Sequence, residues 1–489
     1  MDRRELLRSA SAGAALLWLG CGGAAEQGPP PAAPRVEPGE VRGWLRKAVA
    51  RLAGGFAQVS ALAAIRSHVI AAVDVGARGS RREVVASVVL TGRDAGGAAF
   101  ERITYDVSEI GIEAAVARLL EGRGGGARRE VDVGAPRDVR PRLAADPAEV
   151  PARRWLEWVR ALEARAEAAG SSRLVYRGAF VEVDDAEVLF VAPGRDLSQR
   201  LVRSRAGLAL AAWRGPRPVT GVAEVAVADG LDALALTDAA IEAAAARALE
   251  LVTPGPAPRG AMPVVLDPSV VAAIVDAGVV GLLTSRADGA AALRGRGLGS
   301  EAVTIVDDPA AGGYGGYAFD DEGRPAAAVT LISRGAVAGI LCDDAGALTL
   351  GAAATSHARR PGFVGAVAPR PSQVAVAAGA VPAVDLLAGI DDGLLLEGAE
   401  AVRFDRRRGQ IVVHVARARR VRRGARTGHV HADLELRAEV AALLASVDGV
   451  SSDVATVARR DDIGGDPLWR ATTAPWWRAR GELVPGRDA

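Results

Sequence analysis

The sequence predicts an α+β protein: an N-terminal α/β domain with an antiparallel sheet and helices, followed by a β-rich C-terminal domain. Three observations carry this. In the first half, runs rich in Val, Ile and aromatic residues alternate with runs at helical spacing. The segment Thr253-Pro254-Gly255-Pro256 is the clearest break, because both prolines resist helix continuation. Beyond it, strand-type runs dominate. The 489 residues suffice for two or three domains, and 49% hydrophobic with 24% charged residues fits a globular chain with several cores. A net charge of +1 provides no global field toward a polyanion, so no nucleic-acid partner is expected.

The first 38 residues read as an address and a linker. Arg3 and Arg4 precede apolar residues and Arg8, which resembles a twin-arginine export signal. The apolar stretch 10–19 is too short to span a bilayer but long enough for the core of a signal. Leu19-Gly20-Cys21-Gly22 resembles a lipobox, in which the Cys21 thiol would be acylated; Trp18 is unusual at that point. Residues 22–38 are rich in Gly, Pro and Ala, as a tether would be. The expected location is periplasmic or cell-envelope, reached by the twin-arginine route and with a lipid anchor to the membrane at Cys21. A disulfide framework is not expected, since Cys21 and Cys342 are the only cysteines.

Residues 40–66 have helical spacing, with Trp44, Val49, Leu52 and Phe56 on one side. Extended runs follow at 68–75, 83–90 and 100–107, then a helix at 109–120 and a Gly-, Arg- and Pro-rich loop over 122–149. Residues 151–169 form a second helix, with Trp155, Leu156, Val159 and Leu162 inward. Strands are expected at 174–183 and 187–191, separated by Asp184-Asp185-Ala186 as a hairpin turn, and at 201–213 and 221–227. An Ala-rich helix spans 238–252. The region 39–254 is thus the N-terminal and middle α+β part, and 257–489 the β-rich domain. In the latter, strands are expected at 263–266, 303–306, 326–333, 336–341, 373–377, 401–404, 410–418 and 429–436, with a helix-like stretch at 269–283.

Several blocks resemble one family. They are Pro263-Val264-Val265-Leu266-Asp267-Pro268, Val303-Thr304-Ile305-Val306-Asp307-Asp308-Pro309, Gly312-Gly313-Tyr314-Gly315, Phe319-Asp320-Asp321-Glu322-Gly323, the hairpin at Gly335, and His357-Ala358-Arg359-Arg360-Pro361-Gly362. Their order and spacing resemble the TldD/PmbA family of zinc metallopeptidases, also called modulators of DNA gyrase, over residues 150–450. Each block also has a plain physical reading. Asp320-Asp321-Glu322-Gly323, for example, is a good turn, in which acidic side chains accept backbone N–H bonds.

The resemblance implies a His-Glu-x-x-x-His motif just after the Pro-Val-Val-Leu strand, with zinc on the two histidines and a later cysteine. Here that stretch reads Ile274-Val275-Asp276-Ala277-Gly278-Val279-Val280-Gly281. Ungapped, the histidines become Asp276 and Gly281; shifted by one, they become Val275 and Val280. No cysteine follows Cys342. A catalytic zinc needs about three protein ligands and an open position, so no catalytic residue and no cofactor is expected. Asp276 is expected as a solvated or capping residue at the rim of a degenerate site. The family contains PmbA-type subunits that lack the motif and pair with TldD-type subunits that carry it, and the Asp267-Pro268 stretch looks closer to the PmbA side.

Other clusters are weaker. His429, His431, Asp433 and Glu435 alternate on a run expected to be one strand, so all would share a face, with His414 nearby. Such a face could hold a metal through His429, His431 and Asp433, but alternation with Val430, Ala432, Leu434 and Leu436 is equally explained by a half-buried strand. Ten arginines between 403 and 426 read as a solvated basic surface. Trp469, Trp476 and Trp477 mark a tail that docks on the body, binds a partner or meets a membrane interface. Cys342 reads as a buried structural thiol. The expected function is an exported, catalytically inert PmbA-like subunit of a metallopeptidase assembly acting on unfolded peptides, partnered by a TldD-type subunit or by itself. The alternatives are an active metallopeptidase with an unconventional metal site, and an envelope lipoprotein that binds peptides or other ligands.

Overall fold

A computed structural model of the chain describes residues 36–486, except 75–76, 124–128, 170–171 and 175. Arg3, Arg4 and Cys21 lie outside the described residues. The architecture is α+β. Among the described residues, seven strands build one largely antiparallel sheet and eleven build a second, mixed sheet.

Helix α1 (Pro38–Leu52) opens with Pro at its first turn and buries Val41, Leu45, Ala48, Val49 and Leu52, the stripe that a 3.6-residue period produces. It stops at Ala53-Gly54-Gly55, well short of residue 66. The Ala-rich residues beyond belong to β1 (Gln58–Asp74). This strand pairs with β2 (Ala77–Arg93) on one side and β5 (Tyr176–Ala192) on the other. Ladder bonds on both edges outweigh the helical propensity of Ala61, Ala63 and Ala64.

The expected turn at Asp184-Asp185-Ala186 is also absent: β5 runs straight through it and pairs along its length with β6 (Arg195–Arg214). Asp184 is buried because Trp469 Nε1–H donates to it at 3.0 Å and Arg66 and Arg460 lie 3.3 and 3.4 Å away. Asp185 is held by Arg200 at 2.7 Å. Long-range cations, invisible locally, make a strand of a turn-like tripeptide. The sheet is completed by β3 (Ala99–Thr104), β4 (Pro136–Val139) and β7 (Arg217–Val227). α1, α2 (Glu109–Leu119), α3 (Ala152–Ala169) and α4 (Asp238–Glu250) cover one face. The opposite face, through Leu62, Ala64, Val188 and Phe190, packs on Tyr314, Phe319, Phe363 and Trp469.

The second sheet centres on β20 (Asp466–Pro485), which pairs with β19 (Gly449–Ile463), β18 (Leu434–Glu439), β14 (Gln373–Val376) and β8 (Gly260–Leu266). The tryptophan-bearing tail is therefore a core strand, with Trp477 fully buried. The hydrophobic cluster beneath it includes Val264, Leu266 and most of residues 270–283. The expected strand at 336–341 shortens to Ala336–Val337.

The resemblance blocks do scaffolding work. Asp267 caps helix α5 (Pro268–Ala273), accepting from Val270 N–H at 2.9 Å, and accepts from Gly398 N–H at 2.9 Å, tying the helix to β15 (Asp392–Asp405). Asp320 accepts backbone N–H bonds from Glu322, Arg324 and Ala358 at 3.1, 2.8 and 3.1 Å. Asp307 accepts from the backbone of Ser372 and Gln373 at 3.0 Å each, with His357 3.6 Å away.

Candidate functional site

After α5 the chain continues as a π-helical turn, Ile274–Val279, in which Val280 N–H reaches back to the Val275 carbonyl. Widened turns of this kind recur at functional sites, and this one lies in the stretch that the sequence resemblance sets against a zinc motif. Gly278 lets it approach Val440: a Cβ there would lie 2.8 Å from the valine methyl.

Asp276 projects from this turn but is not solvated, contrary to the sequence expectation. Its side chain is 4% exposed. One carboxylate oxygen is bound by the Arg470 guanidinium and the other accepts from the Thr472 hydroxyl at 2.5 Å, both from β20. Arg470 also holds Asp461 of β19. Burial opposes the Arg470 charge, but Asp276 and Asp461 outweigh it and raise its pKa.

The other motif positions offer no donor. Gly281 faces the Phe404 ring, and a Cβ would sit 2.8 Å from it. Val275 and Val280 are 0% and 2% exposed, packed in the core. A bound zinc would also have to displace Arg470 from Asp276. Among the described residues, no group of three His, Cys, Asp or Glu side chains is placed to hold a metal ion. The residues present here do not fit the family's zinc.

The histidine run is also rearranged. It forms two strands, β17 (Ala425–His431) and β18, because Asp433 adopts a left-handed φ of 54° and breaks the alternation. His429 is exposed and His431 buried. Asp433 pairs with Arg214. Glu435 is fully buried and engaged by Arg403 at 2.7 Å, Arg437 at 2.6 Å and His414 at 2.8 Å. The expected common face of His429, His431 and Asp433 does not exist. The arginine cluster is likewise less free than a solvated surface: Arg417 and Arg419 clamp Glu250 at 2.6 Å each and Glu397 at 2.9 and 3.1 Å. Cys342 is buried, and that burial pushes its thiol pKa up.

Beside Asp276 lies a cavity of about 200 Å³, lined by Ala273, Ala277, Arg370, Val402, Arg459 and Leu468 among others. Arg370, Arg459, Asp461, Arg470 and Thr472 had drawn no attention in the sequence. One signal was available: Gly464-Gly465 is a two-residue hairpin loop that places Arg459 opposite Arg470 across β19 and β20.

Residues 259–481 match the family model described as the PmbA/TldA metallopeptidase C-terminal domain. A metalloprotease of Methanothermobacter thermautotrophicus is 28% identical over 216 residues, or 42% of this chain and 46% of that protein. A metalloprotease of Methanocaldococcus jannaschii is 27% identical over 213 residues, or 42% and 47%. The chain thus spans about half the length of the curated relatives it matches. Among solved structures, a modulator of DNA gyrase from Bacteroides thetaiotaomicron superposes with a TM-score of 0.73 at 14% identity, covering 91% of this chain and 98% of that one. A counterpart from Thermotoga maritima gives 0.69 at 17%, covering 87% and 96%. TldE from Thermococcus kodakarensis gives 0.70 at 18%, covering 88% and 97%. At these identities the likeness shows the fold.

Proposed function

The chain belongs to the TldD/PmbA family, and on that premise we propose that it is a catalytically inert, PmbA-like subunit of an exported metallopeptidase assembly that acts on unfolded peptides. One observation carries the reading: Arg470, a fixed cation, neutralises Asp276 at the position where a zinc ion would be expected. A metallopeptidase also needs a carboxylate free to take a proton from bound water, and Asp276 is committed to Arg470 and Thr472. Such a subunit contributes walls and binding surface, while a TldD-type partner or a second copy completes the assembly.

Export rests on Arg3 and Arg4, and membrane attachment on Cys21. The deciding experiment is co-purification from the native host. A TldD-type protein bearing the intact His-Glu-x-x-x-His motif should accompany this chain, and the mixture should cleave an unfolded peptide that this chain alone leaves intact. Recovery without such a partner would favour an envelope lipoprotein that binds peptides or other ligands. That reading has its own support in the open cavity beside Asp276.

A further inference from the structure

The cavity beside Asp276 carries more positive charge than its carboxylates balance. Arg370, Arg459 and Arg470 line it, facing Asp276 and Asp461. Both carboxylates are spent on Arg470. The Nε atoms of Arg370 and Arg459 are buried without a hydrogen-bond partner. Neither guanidinium is ion-paired among the described residues. Burial lowers the pKa of Arg370, and the nearby Arg359 adds repulsion that Asp461 only partly offsets. Glu224 lies within Coulombic reach of Arg459, but burial raises its own pKa and weakens its claim as a counter-charge. Two guanidinium groups that line a cavity without an ion-pair partner are an arrangement that binds a carboxylate through charge-assisted hydrogen bonds.

The remaining wall is apolar, with Val402, Ile463, Leu468 and Pro371. A bare inorganic anion would leave that wall unused, whereas an aliphatic side chain would cover it. The volume of about 200 Å³ exceeds that of engineered cavities that hold benzene, so it admits one aliphatic residue. We propose that this cavity takes the C-terminal residue of a peptide, with its carboxylate on Arg370 and Arg459 and its aliphatic side chain against Val402, Ile463, Leu468 and Pro371. The proposal rests on the reading of this protein as a peptide-binding subunit and adds the end of the peptide that it recognises.

The test is fluorescence anisotropy of the full chain with unstructured peptides that carry a dye at the N-terminus and end in leucine, as either the free acid or the amide. Amidation should weaken binding by about 10-fold or more, the worth of a charge-assisted hydrogen bond. Arg370→Gln and Arg459→Gln should each weaken the acid by a similar factor and leave the amide unchanged, with far-UV circular dichroism checking that the variants are folded. Equal affinity for acid and amide, or no binding of either, would overturn the proposal without recourse to any variant. Competition by inorganic phosphate as strong as that by acetyl-leucine would reduce the cavity to a plain anion site and overturn the side-chain half. None of these measurements involves catalysis, so metal or peptidase activity found in the chain would sink the inert-subunit reading and leave this one standing.

Discussion

Asp320 and Asp276 are both buried carboxylates in the C-terminal half, 2% exposed as a residue and 4% exposed at the side chain, yet they are satisfied in different ways. Asp320 is satisfied by backbone: three N–H groups from 322, 324 and 358 converge on it. Asp276 is satisfied by side chains, Arg470 and Thr472, and beside it lies an open cavity. A carboxylate held by backbone organises the chain, and its worth is the set of amides that would otherwise be orphaned. A carboxylate held by side chains on a cavity wall is replaceable, and its partners define what else can bind there. The two aspartates separate a carboxylate that organises backbone from one that lines a cavity.

Four substitutions sharpen that contrast. Asp320→Ala should be the most damaging, at about 3–5 kcal/mol, because it removes the acceptor of three backbone amides at once. Arg470→Leu should cost about 2–3 kcal/mol. That is less than the usual penalty for orphaning a buried charge, because the neighbouring cavity admits water to Asp276. If chemical denaturation ranks these two the other way, the distinction between backbone and side-chain satisfaction fails. Gly281→His should cost about 1–3 kcal/mol through overpacking against Phe404 and should confer no zinc binding. Arg370→Gln should stay within about 0.5 kcal/mol of the parent, since it removes a cation that lacks an ion pair. A large loss there would mean that Arg370 supports the fold and does not await a ligand.

Much of the scaffold was legible from local pattern. α3 and α4 follow from apolar spacing, and the acidic-Gly turn at 320–323 does what its residue types suggest. The misreadings share one cause. Asp184 and Asp185 look like a turn because their counter-charges Arg66, Arg200 and Arg460 are distant in sequence. The run from His429 looks like one strand because nothing local announces the left-handed turn at Asp433, which Arg214 meets from the other sheet. Asp276 looks solvated because its partner lies 194 residues away. The absence of the zinc ligands was readable from residue identity alone. The Arg470 guanidinium on Asp276 was not, because only the pairing of β19 with β20, and their packing on α5 just before the π-helical turn, brings it there.

Arg470 and Thr472 together occupy both carboxylate oxygens of Asp276, which leaves no free carboxylate there for a metal ion or a proton. The most direct measurement is metal analysis of the purified chain after zinc loading and desalting, paired with an assay of unfolded-peptide cleavage with and without chelator. Zinc far below one ion per chain and no cleavage in either condition are expected. Stoichiometric zinc with chelator-sensitive cleavage, abolished in Asp276→Ala, would contradict that expectation.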